Sequence, residues 1–369
     1  MTTSGHTGSS TTGPTPLPPG PRSGTPSEVP ASQRVSVLRR PGEVAVEERP
    51  VPSPGPGEVL VRVTAVGVCG SDTHYFEHGR IGDFVVDAPL VLGHEPAGCI
   101  VAVGAGVDPA RVGERVSLEP GIPEAFSAQT LAGRYNLDPA VRFFATPPVD
   151  GAFAEYVCHP AAFSHRVPDT LSDEAAALLE PLSVAIAAVR AGDVGLGSRV
   201  LVAGAGPIGL LAAACAARAG ALATVVTDVR PERLEQARRH GATDVFTAQD
   251  APAVADDLPG GGYTVFIDAT GAEAAVLDGL RRLAPAGRAV LVGMGADTIS
   301  LPVPLVQGRE LTVTGTFRYA GTWPTAIALA ASGAVDLDGL VTSRHRLDDV
   351  AGALTAARAP GAVKAVVRP

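Results

Sequence analysis

The side chains most able to do chemistry in this sequence are one thiol, one imidazole and two carboxyls, at Cys69, His94, Glu95 and Glu180. Thiolate, imidazole and carboxylate groups are the ligands that Zn²⁺ takes in proteins, and three of them leave a fourth position open for water or substrate. A metal at such a site lowers the pKa of a bound hydroxyl and stabilises the alkoxide from which hydride leaves. Taken singly, a cysteine or a histidine is more often structural, so this interpretation depends on the rest of the chain.

A glycine-rich turn later in the chain is typical of a nucleotide site. The strand-like run Val200–Ala203 leads into a turn with Gly204, Gly206 and Gly209, and then into an alanine-rich helix. The first glycine permits the tight turn, the second lets the backbone approach a pyrophosphate, and the third allows close packing of helix on strand. Unpaired N–H groups at the start of the helix favour a bound phosphate.

Asp228 ends the next predicted strand and is placed to bind a ribose. A carboxylate at this position accepts hydrogen bonds from both ribose hydroxyls and repels a 2′-phosphate, so it favours NAD over NADP. Arg230 and Arg233 follow closely, and they leave the selectivity against NADP open.

Two kinds of sequence must position these groups. From Val35 to about residue 168, short apolar strands are separated by Gly and Pro turns. After Ser172 helical runs alternate with apolar strands, which indicates a doubly wound parallel α/β sheet. The predicted early strands are Glu43–Arg49, Val59–Val66, Gly98–Val103 and Arg115–Leu118; the later helices are Leu182–Ala191, Ile208–Ala219 and Leu347–Ala357; and the later strands are Val200–Ala203, Thr224–Thr227, Val265–Asp268, Ala289–Val292 and Lys364–Val367.

Composition and charge narrow the class of protein. With 369 residues the chain can form two domains, and its net charge of −9 with no long basic run argues against nucleic acid or an anionic membrane as partner. Gly, Pro or charge interrupts every apolar run before it could span a membrane. Residues 1–31 have the composition of a disordered low-complexity tail. The four cysteines form no CxxC, which favours a reducing, cytoplasmic location.

The order of these motifs from Val35 onward resembles the zinc-containing medium-chain dehydrogenase/reductase family, and within it the branch of sorbitol, xylitol and L-arabinitol dehydrogenases. The strings that carry the resemblance are Gly67–Asp72, Tyr75–Arg80, Gly133–Leu137, Phe143–Pro148, Glu180–Val184, Phe317–Tyr319 and Thr322–Pro324. The resemblance implies a Rossmann NAD-binding domain at 181–315, inserted into a strand-rich, GroES-like catalytic domain formed by 32–180 and 316–369. The active site would lie in the cleft between them.

The resemblance also implies roles at the metal. Cys69 and His94 would bind one catalytic zinc, and either Glu95 or Glu180 would be the third protein ligand, the other acting through a bound water. Neighbours in an extended chain point to opposite sides, so His94 and Glu95 reach one ion only where the backbone bends. Ser71 would take the substrate proton, and His74 would pass it towards solvent.

Substrate and cofactor contacts follow from the same resemblance. The implied polyol pocket consists of Tyr75, Phe143, Glu180, Arg318 and Tyr319. The implied cofactor contacts are Gly204, Gly206, Ile208, Gly209, Asp228, Arg233, Val292, Met294 and Phe317. A polyhydroxylated substrate needs several such polar groups, because each unmatched hydroxyl would leave a buried donor or acceptor unpaired.

One departure from the family pattern is informative. Many relatives carry four cysteines that bind a second, structural zinc in the lobe before Gly133. The matching positions here are Glu124, Ser127, Thr130 and Asp138. Structural zinc sites are closed and rich in thiolates, so we expect one catalytic zinc and no structural zinc.

The resemblance implies zinc-dependent oxidation of a polyol secondary alcohol, such as that of sorbitol or xylitol, to a ketose. NAD would accept the hydride, and the protein would be a homodimer or homotetramer whose partner is the small-molecule polyol. Two alternatives remain. One is a zinc dehydrogenase of another diol or sugar alcohol, such as 2,3-butanediol. The other is a nucleotide-binding member of the superfamily without catalysis.

Overall fold

Two large sheets organise the part of the chain that the computed structural model describes, residues 29–250, 261–295 and 297–369. Positions 1–28 of the predicted tail lie outside the described residues. The elements before residue 170 are β1 (Ser32–Arg40), β2 (Glu43–Pro50), β3 (Glu58–Gly67), α1 (Gly70–His78), β4 (Arg80–Ile81), β5 (Phe84–Val85), β6 (Leu90–Val91), β7 (Glu95–Val103), β8 (Arg115–Leu118), β9 (Gly121–Ile122), α2 (Ala128–Leu131), β10 (Arg142–Phe143), β11 (Tyr156–Pro160) and β12 (Ser164–Arg166).

Helices and strands alternate in most of the rest of the chain. These elements are α3 (Asp173–Ala177), α4 (Leu179–Ala191), β13 (Arg199–Ala203), α5 (Pro207–Arg218), β14 (Ala223–Asp228), α6 (Pro231–Arg239), β15 (Asp244–Thr247), β16 (Tyr263–Asp268), α7 (Glu273–Arg281), β17 (Leu283–Leu291), α8 (Val303–Gly308), β18 (Thr312–Gly315), α9 (Trp323–Ala331), β19 (Val341–Arg346), α10 (Val350–Ala356) and β20 (Lys364–Arg368).

The first large sheet joins strands from residues 58–166 to the last two strands of the chain. Its strand order is β12-β8-β7-β3-β20-β19, with β11 also paired to β3. Gly67 of β3 pairs with Val366 of β20 on one side and with Glu95 of β7 on the other. This register brings Lys364, at the start of β20, into the neighbourhood of both Glu95 and the loop that follows β3.

The second large sheet is parallel and has the order β15-β14-β13-β16-β17-β18. In chain order this is 3-2-1-4-5-6, the doubly wound arrangement of a Rossmann fold, so the predicted fold class is confirmed. The apolar runs Val200–Ala203 and Tyr263–Asp268 are buried between helix layers, as strands of a parallel sheet must be. None of the helices in the described part of the chain combines the length and apolar character of a membrane span.

Helix α4 begins at Leu179, earlier than the predicted Leu182. Pro181 therefore lies inside the first turn and does not mark the start of the helix. Proline is tolerated there because the first N–H groups of a helix have no partner within the helix. As a result Glu180 is part of the helix, on a turn buried against the rest of the protein.

The core of the first sheet contains a histidine that must stay neutral. His159 on β11 is fully buried, and its Nε2–H donates a hydrogen bond of 2.8 Å to the carbonyl oxygen of Glu119. Its Nδ1 has no hydrogen-bond partner. Burial lowers the pKa of His159 to about 4, because the imidazolium would be desolvated in this position.

We expect His159 to make the fold acid-sensitive. Because its folded-state pKa lies below the unfolded value of 6.5, the unfolded chain gains a proton first as pH falls. Stability contributed by the neutral imidazole is complete above pH 6.5 and declines towards pH 4. Between pH 7 and pH 5 the loss should be about 2 kcal/mol. Urea unfolding of wild type and His159→Gln measures it, since glutamine can keep the bond to Glu119.

Between pH 7 and pH 5, the free energy of unfolding of His159→Gln should fall by about 2 kcal/mol less than that of wild type. His78→Gln, a change at an exposed histidine, is the matched control and should keep the wild-type pH dependence. Parallel pH curves for wild type and His159→Gln would show that His159 does not contribute to acid sensitivity.

Candidate active site

Asp72 ties together the two segments that carry the predicted metal ligands. Cys69 is the N-cap residue of α1, and its backbone N–H donates to Asp72 Oδ2 at 2.9 Å. The other carboxylate oxygen, Oδ1, accepts from the backbone N–H of Gly93 at 2.9 Å. Asp72 is fully buried, so these bonds are shielded from water. Sequence reasoning missed this role, although an acidic residue in the first turn of a helix is a recognisable capping signal.

The backbone bends just before His94, as binding of one ion by two adjacent residues requires. Gly93 has φ +88°, and a Cβ at this position would come within 2.8 Å of the Phe153 ring. Strand β7 begins only at Glu95. As a result one ligand atom from each of Cys69, His94 and Glu95 lies within 4.8 Å of the other two. Among the described residues, the group that meets this distance contains Glu95 and not Glu180.

Glu95 is held by a buried lysine that sequence reasoning did not identify. Lys364 Nζ donates to Glu95 Oε1 at 2.6 Å and to the carbonyl oxygen of Val68 at 2.9 Å. Glu95 and Lys364 are 1% and 2% exposed, so the pair is essentially dry. Glu95 Oε2 is buried and has no hydrogen-bond partner in the described structure.

The donor set fits a zinc ion. A thiol, an imidazole and a buried carboxylate oxygen without a partner are ligands that zinc accepts, and their separation allows one ion to contact all three. Burial disfavours the imidazolium of His94, but Cys69 and Asp72 outweigh burial and raise its pKa well above the ordinary value. Zinc binds the neutral imidazole, so metal binding at His94 competes with its protonation.

Glu180 and Tyr319 form a buried pair next to this group. The Tyr319 hydroxyl donates to Glu180 Oε1 at 2.6 Å, and the two residues are 3% and 4% exposed. Burial raises the pKa of Glu180 to about 7; Glu95 adds to the shift, while His94 opposes it. Glu180 is therefore a carboxyl that can hold or release a proton near neutral pH.

The remaining predicted pocket residues gather around Arg318. The Arg318 guanidinium stacks on Phe143 with 3.7 Å between Cζ and the ring centroid, and Phe143 lies 5.6 Å from the His94 ring. Arg318 adopts φ +58°, a conformation uncommon for a residue with a side chain and typical of functional sites. Burial lowers the pKa of Arg318 to about 10 and raises that of Tyr75 to about 12.

The lobe between β9 and β10 anchors the segment that carries Arg318 and Tyr319. The Tyr135 hydroxyl donates to Glu119 Oε1 at 2.6 Å and accepts from the backbone N–H of Gly321 at 2.7 Å. Asn136 Nδ2 donates to the carbonyl oxygen of Phe317 at 2.8 Å. The Gly133–Leu137 string was identified only through the family resemblance. In the structure, two of its residues hydrogen-bond the backbone of the segment that carries Arg318 and Tyr319.

Ser71 and His74 take no part in the hydrogen bonds described above. Ser71 is half-buried in the first turn of α1, next to Cys69. His74 is exposed, and its Nδ1 lies 3.0 Å from the carbonyl oxygen of Arg80. Position on α1 and access to solvent are compatible with a proton path, but the proposed relay through these two residues stays a prediction.

The glycine turn is built as the nucleotide motif requires. Gly204 has φ +98°, and a Cβ on Gly209 would lie 1.8 Å from the Gly204 carbonyl oxygen, so neither position admits a side chain. Gly206 is the N-cap of α5, whose apolar face is buried. The Arg233 guanidinium lies beside Gly206, with Nη1 4.0 Å from the Cβ position there. Ile208 is in the first turn of the same helix.

Asp228 occupies the end of β14, as predicted. Its Oδ2 accepts from the Ala205 backbone N–H at 2.6 Å and its Oδ1 from the Arg230 N–H at 2.8 Å. Each oxygen retains a lone pair, so both can still accept a ribose hydroxyl. The turn itself thus orients the carboxylate.

The predicted cofactor contacts after β17 lie beside a turn that sequence reasoning did not identify. Asp268, at the end of β16, accepts from the backbone N–H groups of Thr270 and Gly271. Gly293 packs against this turn; a Cβ on it would lie 2.1 Å from the Gly271 nitrogen. The other contacts, Val292, Met294 and Phe317, follow β17 or β18 at the carboxyl edge of the parallel sheet, and Met294 and Phe317 are exposed.

Asp138 organises the lobe in which relatives carry thiolates. Ser127 Oγ and Thr130 Oγ1 both donate to Asp138 Oδ2, and the Ala140 N–H donates to Oδ1. The hydrogen bond from Ser127 is the largest of the effects that hold the pKa of Asp138 below its ordinary value. Hydroxyls and a carboxylate thus close the lobe by hydrogen bonds.

We expect metal analysis of the purified protein to give one zinc per chain, because the lobe offers hydroxyls in place of thiolates. Inductively coupled plasma measurement on dialysed protein checks the ratio. Asp138→Asn should lower the melting temperature and leave the zinc content unchanged. Two zinc ions per chain would contradict the expectation.

Fold and site together define a nucleotide-dependent dehydrogenase with a metal centre, and the comparisons agree. Residues 55–169 match the alcohol dehydrogenase GroES-like domain, and residues 207–332 match the zinc-binding dehydrogenase domain. Sorbitol dehydrogenase of Gallus gallus is 42% identical over 337 residues, which cover 90% of this chain and 95% of that protein. The chain therefore belongs to the zinc-containing medium-chain dehydrogenase family, in its sorbitol dehydrogenase branch.

Solved structures show the same fold. L-idonate 5-dehydrogenase from Escherichia coli aligns with a TM-score of 0.87 at 28% identity, over 92% of this chain and 98% of that one. 2R,3R-butanediol dehydrogenase from Bacillus subtilis aligns with a TM-score of 0.83 at 31% identity, over 91% and 99%.

Proposed function

We propose that the protein oxidises a secondary alcohol of a polyol such as sorbitol or xylitol to the ketose, with one catalytic zinc and with NAD as hydride acceptor. The observation that carries the proposal is the junction of the Cys69–His94–Glu95 group with the buried Glu180–Tyr319 pair. The first set suits a metal ion and the second suits substrate hydroxyls. The likeness to sorbitol dehydrogenase supports the polyol.

Cys69, His94 and Glu95 would hold the zinc, and Glu180 would act from the substrate side. Zinc, when bound, supplies a Lewis acid that lowers the pKa of the alcohol. Glu180 holds or moves a proton close to that hydroxyl, since burial brings its pKa near neutrality. Ser71 would accept the substrate proton while its own hydroxyl proton passes to His74, which would release it towards solvent.

Tyr75, Phe143, Arg318 and Tyr319 would bind the rest of the polyol. Arg318 and the tyrosine hydroxyls supply donors, and the Phe143 ring fixes the Arg318 plane. Because these groups are buried, a substrate without matching hydroxyls leaves them unpaired, which costs binding free energy.

NAD would bind across the edge of the parallel sheet at the Gly204 turn. The ribose would lie on Asp228, and Arg233 beside Gly206 would contact the pyrophosphate. A carboxylate with both oxygens held by backbone N–H groups repels a 2′-phosphate, which supports NAD over NADP. The remaining cofactor contacts would be Ile208, Val292, Met294 and Phe317.

A second candidate is oxidation of a smaller diol such as 2,3-butanediol, favoured by the likeness to the Bacillus subtilis enzyme. A non-catalytic protein is disfavoured by the intact metal group. Initial rates on sorbitol, xylitol, L-arabinitol and 2,3-butanediol, each with NAD and with NADP, test the proposal. We expect alditols with NAD to give the highest kcat/KM. A clear preference for butanediol, or no turnover of any alcohol by zinc-loaded protein, would contradict the polyol assignment.

We propose the domain division 32–180 with 316–369 as catalytic domain and 181–315 as nucleotide domain. The boundary after residue 180 falls within α4, so this helix would join the two. We further propose a cytoplasmic homodimer or homotetramer. The free thiols support a reducing location, and β18 at the edge of its sheet supports pairing with another copy. Light scattering after size exclusion tests the assembly.

A further inference from the structure

Lys364 is a buried cation that the proposed mechanism leaves without a task. Its Nζ contacts the carboxylate of Glu95 and the carbonyl of Val68, the residue before Cys69. An ammonium group loses its hydration here, and a well-packed apolar side chain would often serve stability equally well or better. Retention of the charge therefore points to a task other than stability.

The position of Lys364 determines how Glu95 can act. One carboxylate oxygen, Oε1, is occupied by the ammonium at 2.6 Å, while Oε2 has no hydrogen-bond partner. Gly67 makes room for Oε2, because a Cβ at that position would lie 1.9 Å away from it. A Glu95 held in this way offers a metal ion one oxygen instead of two.

Lys364 also alters the charge of the metal site. The Cys69 thiolate and the Glu95 carboxylate would both place negative charge on one bound ion, and each anionic ligand reduces the metal's power to polarise an alcohol. Lys364 offsets one of these charges at close range in a site with little water, where electrostatic effects are strong.

We propose that Lys364 is a positioning residue of the metal centre: it restricts Glu95 to binding zinc through one oxygen and offsets the negative charge of the ligand set. The inference rests on the zinc site of the proposed function. It adds a residue from the opposite end of the chain, held in place by the pairing of β20 with β3.

The test compares Lys364→Met, which removes the charge and the hydrogen bonds, with Lys364→Gln, which keeps a hydrogen-bond donor. Arg368→Met is the matched control, since Arg368 lies on the same strand and pairs with Glu174 away from the metal group. Each protein is loaded with Co²⁺ for absorption spectra and with Zn²⁺ for transfer to a chromogenic chelator. Circular dichroism verifies that each variant is folded. If Lys364→Met does not fold, the measurements on Lys364→Gln test the proposed role of Lys364.

Lys364→Met should change the cobalt d–d bands towards the weaker absorption of a higher coordination number, because Glu95 can then bind through both oxygens; Lys364→Gln, whose amide can still donate to Oε1, should keep bands close to those of wild type. Both variants lose the positive charge. Zinc release should be slower by about tenfold, since a cation near the ion is gone. Arg368→Met should match wild type in both measurements. An unchanged release rate in Lys364→Gln, or an unchanged spectrum in a folded Lys364→Met protein, overturns the inference. If the wild-type protein binds neither metal, the proposed zinc site is wrong as well. If it binds zinc but oxidises no polyol, only the assignment of the substrate is wrong.

Discussion

Cys69→Ser should lower kcat/KM for polyol oxidation by about a thousandfold, because the free energy that a metal contributes to the transition state is several kcal/mol. Serine is close to cysteine in size but is a poor zinc ligand, so His94 and Glu95 alone would have to hold the ion. NAD affinity should stay near the wild-type value, since the Gly204 turn belongs to a different sheet. Steady-state rates, zinc content and calorimetric titration with NAD measure the three effects.

Cys99→Ser is the matched control for this prediction. Cys99 lies on β7, the strand that begins with Glu95, and it is half-buried outside the metal group. The control should retain zinc and turnover. A Cys69→Ser protein that keeps its zinc and its rate would exclude Cys69 as a ligand and with it the proposed mechanism.

Glu95→Gln and Glu180→Gln should both lose activity, but only one of them should lose zinc. Glu95→Gln should lose zinc, because the carboxylate close to Cys69 and His94 is replaced by a neutral amide. Glu180→Gln should keep zinc and lose about a hundredfold in kcat/KM, since a buried charged group next to the reacting hydroxyl is replaced by a neutral amide. Metal content and rates on the same preparations separate the two carboxylates.

The pH profile gives an independent measurement for Glu180. Burial raises the pKa of this carboxyl towards neutrality, so its proton-accepting form is populated only as pH rises. Wild-type kcat/KM should therefore fall on the acid side through an ionisation that Glu180→Gln lacks. Glu174→Gln is the control, because it alters a buried carboxylate that is paired with Arg344 and Arg368. Zinc loss in Glu180→Gln with retention in Glu95→Gln would reverse the assignment.

Local sequence was sufficient for the nucleotide half of the fold. The strand Arg199–Ala203, the glycine turn and Asp228 lie within thirty or so residues of one another, and each depends on short-range backbone chemistry. Strand and helix alternation then predicted the doubly wound sheet correctly. The predicted start of α4 at Leu182 was wrong by three residues, because a proline in the first turn of a helix does not fix which residue begins it.

The catalytic half depended on the family resemblance and then on the sheet. Spacing alone could not show that Cys69, His94 and Glu95 meet, because their approach requires the left-handed turn at Gly93 and the carboxylate of Asp72. The resemblance left Glu95 and Glu180 equal as ligands. The tertiary structure separates them, since Glu95 lies with the thiol and imidazole while Glu180 is paired with Tyr319.

By itself, the sequence determined the fold class, the nucleotide turn and the inventory of ligands, because these depend on residue type and on neighbours along the chain. Only the tertiary structure decided which carboxylate stands with Cys69 and His94, and only it revealed Lys364. Lys364 and Glu95 are 269 positions apart, and no local pattern reports their contact. It exists because β3 pairs with β7 on one side and β20 on the other, which places Glu95 and Lys364 around one site.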